Sequence, residues 1–185
     1  MTLYSAALFL HIVGALLLFA TLTLEGIALR QARRATTVVQ VRDSAGIAGL
    51  TRFAGPASAA GILVPGLFMA ATAWGPVPWI LVGLGTWVLV GVLGAVNGVR
   101  LASVGRAAAE SARMSSGLAA RIGDPLLLAS WRVRVALVLG VVLLMPVKPS
   151  PMAALLVVAA AAAAGVVAGL PAWRRAGPRV ALDRP

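Results

Sequence analysis

Five long stretches of apolar residues constrain the fold of this chain more than any other feature of its sequence. They cover residues 3–29, 53–74, 79–99, 126–147 and 152–172. An α-helix rises about 1.5 Å per residue, so about 20 apolar residues cross the roughly 30 Å hydrocarbon core of a bilayer. The sequence therefore predicts an all-α, polytopic membrane bundle of about five transmembrane helices, forming a single domain over residues 1–185.

The composition identifies lipid as the main solvent of this chain. Hydrophobic residues make up 61% of it and charged residues only 11%, which is too apolar for a water-soluble domain of this size. The net charge of +11 does not indicate nucleic acid, because the basic residues lie between the apolar stretches and form no face with aromatic residues among them. We expect the bilayer, with anionic lipid headgroups at its cytoplasmic face, to be the partner of these charges.

The basic residues also predict an orientation. Arginines fill the connections at residues 30–52 and 100–124 and the tail at 173–185, whereas the turn at 75–78 is uncharged and the turn at 146–151 carries one lysine. The positive-inside rule then places the N-terminus outside and both loops and the tail in the cytoplasm. Because arginine outnumbers lysine fifteen to one and alanine is abundant, the composition is typical of a GC-rich bacterium, so we expect a bacterial cytoplasmic (inner) membrane.

Two polar residues followed by proline predict where the last two helices begin. Asp124 precedes Pro125, and Ser150 precedes Pro151. Asp and Ser are common helix N-caps, and proline is favoured at the first helical position because its missing N–H is not needed there.

Two glycine pairs at helical spacing predict faces of close helix packing. They are Gly94 with Gly98 and Gly165 with Gly169. Small residues let helix backbones approach in lipid, so these faces are expected to pack within the chain, with a homodimer as the alternative.

His11 is the only histidine of the chain and lies about 12 Å along the first helix, within the hydrocarbon. An ionisable residue at such depth is a candidate functional residue. It either donates a hydrogen bond to a neighbouring helix or serves as a proton relay or cofactor ligand. Met69 and Met145 fall at a similar depth, and histidine with thioethers suits heme iron or copper(I), which makes these three residues the candidate cofactor site.

A second group of polar residues gathers near the cytoplasmic ends of the predicted helices: Glu25, Arg52, Asn97, Arg132 and Arg134. Arg132 and Arg134 are about 200° apart around a helix, so only one of them is expected to face the bundle and meet Glu25. The group is predicted to combine an ion pair with arginines that extend to lipid phosphates, or to form a pocket for an anionic headgroup.

Three short segments carry a resemblance to known membrane proteins: FLHIVG at residues 9–14, GLFM at 66–69 and LMPVKP at 144–149. The chain resembles small, uncharacterised bacterial integral membrane proteins and, more distantly, the copper-resistance protein D superfamily. Within that superfamily, the membrane protoporphyrinogen oxidase family would imply a heme-ligating histidine on the first helix, which corresponds to His11. A copper-binding role is likewise implied by the resemblance.

The sequence contains no nucleophile and base pair, phosphate-binding loop or paired carboxylates, and it has no cysteine. It therefore favours a non-enzymatic membrane protein, such as a small transport or complex-assembly component. The alternative is a heme- or copper-binding redox protein that uses His11.

Overall fold

The computed structural model describes residues 2–174, and the side chains of residues 2–171. Over this range the chain forms α1 (Leu3–Arg34), α2 (Val38–Met69) with a π-helical turn at Ala70–Trp74, α3 (Pro78–Glu110), α4 (Ser116–Gly123), α5 (Pro125–Val147) and α6 (Pro151–Arg174). Five helical segments are long and apolar enough to cross a membrane. The predicted all-α fold with five membrane-spanning helices is confirmed, and the protein is an integral, multi-pass membrane protein.

Side-chain caps fix where most of the helices begin. Thr37 and Gln40 form a reciprocal capping box at the start of α2, and Ser115 caps α4. Asp124 caps α5 through the backbone N–H of Leu126, as the Asp-Pro pair predicted. The side chain of Ser150 likewise accepts a hydrogen bond at the start of α6. Each cap satisfies a backbone donor that the first helical turn would leave unpaired.

The first three helices continue well beyond the predicted membrane spans. Residues 30–52 were expected to be a loop, yet α1 continues to Arg34 and α2 already begins at Val38. Residues 100–124 were likewise expected to be a loop, whereas α3 itself continues to Glu110 and α4 follows it. At about 1.5 Å per residue, the 32 residues of α1 span about 48 Å, more than a bilayer core. The predicted tail lies, from residue 175 onward, outside the described residues.

Helices α1, α2, α3 and α5 form the bundle, and α6 packs on its outside against α5. Glycines make the closest approaches: a Cβ added at Gly14 of α1 would lie 2.6 Å from the backbone of Gly61 of α2. At Gly165 of α6 a Cβ would lie 2.6 Å from Val133 of α5. The face of Gly165 is therefore used for packing within the chain, as predicted, whereas a Cβ added at Gly98 of α3 would meet nothing within 4 Å.

The two ends of the bundle differ in character. The tryptophan end contains the start of α1, the α2–α3 turn with Trp74 and Trp79, and the α5–α6 turn. The arginine end contains the α1–α2 turn, α4 and the end of α3, which share a small apolar core around Val41, Ala108 and Leu118. This extension of the helices is thus a packed layer with its own core, which explains why residues 30–34 and 38–52 are helical.

Candidate functional site

A cavity of about 260 Å³ lies at the tryptophan end of the bundle. Helix α1 lines it with residues at i, i+4 and i+7, which share one helical face: Tyr4, Leu8 and His11. Helices α2, α3 and α5 supply the other walls, which are almost entirely apolar and aromatic. The lining has the character of a small-molecule site, which is mostly hydrophobic with few polar groups.

His11 is one of these few polar groups, and its orientation is fixed by α2. Its Nδ1 lies 2.9 Å from the carbonyl oxygen of Ile62. Because a carbonyl oxygen only accepts hydrogen bonds, Nδ1 carries the proton, and in the neutral ring Nε2 then offers a lone pair. Gly66 makes room for the ring, since a Cβ there would lie 3.1 Å from Nδ1. The hydrogen bond to a neighbouring helix is thus present, and it leaves the second ring nitrogen free to accept from a ligand.

Met69 and Met145 line the same cavity as His11. Met69 is buried near the end of α2, and Met145 is partly exposed near the end of α5. The three residues proposed from the sequence as cofactor ligands are therefore brought to one place. No cluster of three or more His, Asp or Glu side chains that could hold a metal occurs in the described part of the chain.

A buried ion pair forms the second polar centre, closer to the arginine end. One guanidinium nitrogen of Arg134 on α5 donates to both carboxylate oxygens of Glu25 on α1, at 2.9 and 2.7 Å. The residues are only 7% and 4% exposed, so neither charge is hydrated to any extent. Gly94 of α3 packs closely against the guanidinium, since a Cβ there would lie 3.0 Å from one of its terminal nitrogens. The pair therefore joins α1 to α5 at a depth where an isolated charge is costly.

Asn97 extends this centre to α3. Its side-chain amide donates to Glu25 at 3.0 Å and to the carbonyl of Leu127 at 3.2 Å, and its oxygen accepts from the hydroxyl of Ser130. Asn97 is completely buried. The carboxylate of Glu25 and the amide of Asn97 are thus paired across three helices, which fixes the helices in register, whereas the buried Nε of Arg134 has no hydrogen-bond partner among the described residues.

The other two arginines proposed for this group lie elsewhere. Arg132 turns away from the bundle and donates to the carbonyl of Ala168 on α6. Arg52 is exposed on α2, where its guanidinium lies 5.8 Å from the ring centre of Phe53. The predicted division between Arg132 and Arg134 is confirmed by these contacts, whereas Arg52 does not join the group.

Several polar contacts in the structure were not predicted from the sequence. Ser130 lies four residues before Arg134, and this helical spacing could have placed it on the same face. Asp124 pairs with Arg100 besides capping α5. The indole nitrogen of Trp131 donates to the carbonyl of Leu22 at 2.8 Å, a contact between distant helices that no local pattern in the sequence reveals.

Comparison of the chain with protein-family models, curated proteins and solved structures finds no match. The resemblance to the copper-resistance protein D superfamily therefore stays a prediction.

Proposed function

We propose that this protein binds a small, mainly apolar molecule in the cavity at the tryptophan end, as the binding step of a small membrane transport component. The observation that carries the proposal is the Nε2 of His11, which makes no hydrogen bond within the described residues and belongs to a cavity lining with few polar groups. A cavity of about 150 Å³ holds a benzene ring, so about 260 Å³ suits a molecule of roughly two fused rings. Such a molecule reaches the site from lipid, and a single hydroxyl group on it would donate to His11.

Binding of naphthol and methoxynaphthalene to the purified protein in neutral detergent micelles tests this proposal. The two probes have similar size, but only naphthol can donate a hydrogen bond. We expect saturable naphthol binding, about threefold to tenfold tighter than that of methoxynaphthalene, which is the usual net worth of one hydrogen bond. Isothermal titration calorimetry with matched micelle blanks measures both affinities.

A matched pair of variants separates recognition from folding. His11→Asn retains a donor toward the carbonyl of Ile62 but lacks Nε2, so it should lose the preference for naphthol while remaining folded. Leu16→Ala changes a lipid-exposed residue of the same helix and should behave like the parent. Absence of saturable binding, or equal affinity of the parent for the two probes, would refute the proposal.

A copper(I)-binding redox role is the second candidate, because His11, Met69 and Met145 line one cavity. Imidazole and thioether groups suit this soft ion. A heme fits less well, since cavities that enclose even a drug-sized ligand measure roughly 300–1,000 Å³. Titration with copper(I) against a chromophoric chelator tests this candidate: a His11→Ala variant that binds as tightly as the parent would remove it.

We propose further that the arginine end faces the cytoplasm of a bacterium and contacts anionic headgroups. Exposed arginines lie along this end, including Arg34, Arg106 and Arg121, whereas Lys148 is the only cation at the tryptophan end within the described residues. This asymmetry is the one that the positive-inside rule describes. Reporter fusions in the α1–α2 and α2–α3 turns test the orientation: cytoplasmic activity should come from the first and not from the second.

A further inference from the structure

Lys148 gives the mouth of the cavity a positive charge. It is the C-cap of α5, in a left-handed conformation with φ of 48°, and its backbone N–H donates to the carbonyl of Leu144 at 2.9 Å. Its ammonium nitrogen lies 4.1 Å from the centre of the Trp74 ring, and both residues line the cavity. The left-handed cap and the aromatic ring therefore hold the cation at the entrance.

No carboxylate of the described chain is available to neutralise this ammonium group. The four acidic residues in the described part of the chain all lie toward the arginine end: Glu25, Asp43, Glu110 and Asp124. Two of them are paired with arginines there. The ring of Trp74 contacts only one side of the ammonium group, so its other N–H donors remain free to meet an anion from outside the chain.

Two polar side chains of α1, Tyr4 and His11, indicate how long a ligand of this cavity would be. Tyr4 marks the mouth, since its hydroxyl accepts a hydrogen bond of 3.4 Å from the indole nitrogen of Trp74. His11 lies seven residues further along α1, which corresponds to about 10 Å of helix. Between these points the wall is apolar and aromatic.

We infer that the cavity selects an acidic amphiphile about 10 Å long, whose carboxylate meets Lys148 at the mouth and whose apolar body carries a hydroxyl group toward His11. A hydroxylated aromatic carboxylic acid has this chemistry. The inference rests on the proposed function, because it names the class of molecule that the same cavity would bind.

A hydroxynaphthoic acid with its two polar groups at opposite ends, compared with its methyl ester, tests the inference. The protein is placed in nanodiscs of zwitterionic lipid at neutral pH, so that the acid is ionised and the bilayer carries no net charge. We expect the parent to bind the acid about threefold to fivefold tighter than the ester, the range of an exposed ion pair.

Three variants identify the source of that preference. Lys148→Gln should abolish it, Lys148→Arg should keep it, and Arg106→Gln, which removes an equal charge at the arginine end, should leave it unchanged. A Lys148→Gln variant that still prefers the acid, or a parent that prefers the ester, would overturn the inference. If naphthol still binds in that case, only the acidic class of ligand is refuted; if naphthol does not bind either, the proposed function fails with it.

Discussion

Removing the charge of Glu25 should destabilise the bundle strongly. Glu25→Gln keeps the size of the side chain but leaves Arg134 charged, 7% exposed and without its carboxylate partner. Breaking one partner of a buried ion pair costs about 3–5 kcal/mol in soluble proteins, and an unpaired arginine within a bilayer costs about 3 kcal/mol on insertion scales. We therefore expect the free energy of unfolding to fall by about 3 kcal/mol.

The guanidinium of Arg134 cannot easily reach water, so hydration would not reduce this loss of stability. It lies nine residues after Pro125, about 14 Å along α5, and Gly94 of α3 packs against its guanidinium. Unfolding in mixed micelles by increasing SDS, followed by tryptophan fluorescence, measures the free energy. Asp43→Ala removes an exposed carboxylate from α2 and should change the free energy by no more than about 0.5 kcal/mol.

The double variant Glu25→Gln with Arg134→Met completes the test. Removing both charges eliminates the unpaired ion, so stability should return to within about 1–2 kcal/mol of the parent. Two results would contradict this prediction: a Glu25→Gln variant whose free energy of unfolding equals that of the parent, or a double variant less stable than Glu25→Gln alone. Either result would mean that the pair is not buried in the membrane-embedded protein.

Two further predictions concern packing and the arginine end. Gly14→Ala places a methyl group 2.6 Å from the backbone of α2 and should lower the free energy of unfolding by about 1–3 kcal/mol in the same SDS titration. Gly98→Ala lies on the open face of α3 and should leave this free energy unchanged or raise it slightly. Arg42 donates to the carbonyls of Ala108 and Ser111, both at 2.9 Å, so Arg42→Gln should raise amide hydrogen exchange at the end of α3 and leave exchange at the tryptophan end unchanged.

The number of helices could be predicted because a bilayer requires one long apolar run for each crossing, and those runs are visible in the sequence. The positions at which the helices end or begin at the arginine end could not be predicted. There α1, α2 and α3 extend past their apolar stretches and bury residues such as Val38 and Val104 in a shared core while exposing polar faces. Such segments have the composition of an aqueous loop, and only the contact between distant helices makes them helical.

The candidate site was predictable to the extent that it follows helical periodicity. His11, Leu18, Leu22 and Glu25 recur at helical spacing on one face of α1, and the structure turns this face inward. The helical spacing of Arg132 and Arg134 also required that only one of these two arginines meet Glu25. Which one does so depends on how α5 is rotated against α1 and α6, and that rotation is set by packing across the bundle.

The cavity itself could not be predicted, because it is the space left where several helices fail to meet. An apolar layer that includes Leu18, Leu22 and Val90 separates it from the ion pair. Along α1, His11 and Glu25 are fourteen residues apart, about 21 Å, so the two polar centres share no hydrogen-bond partner. The ion-pair centre fixes the register of the bundle, and the cavity leaves a ring nitrogen of His11 free within a mainly apolar wall. The unused hydrogen-bonding capacity of His11 therefore points to binding, whereas the fully paired Glu25 points to structure.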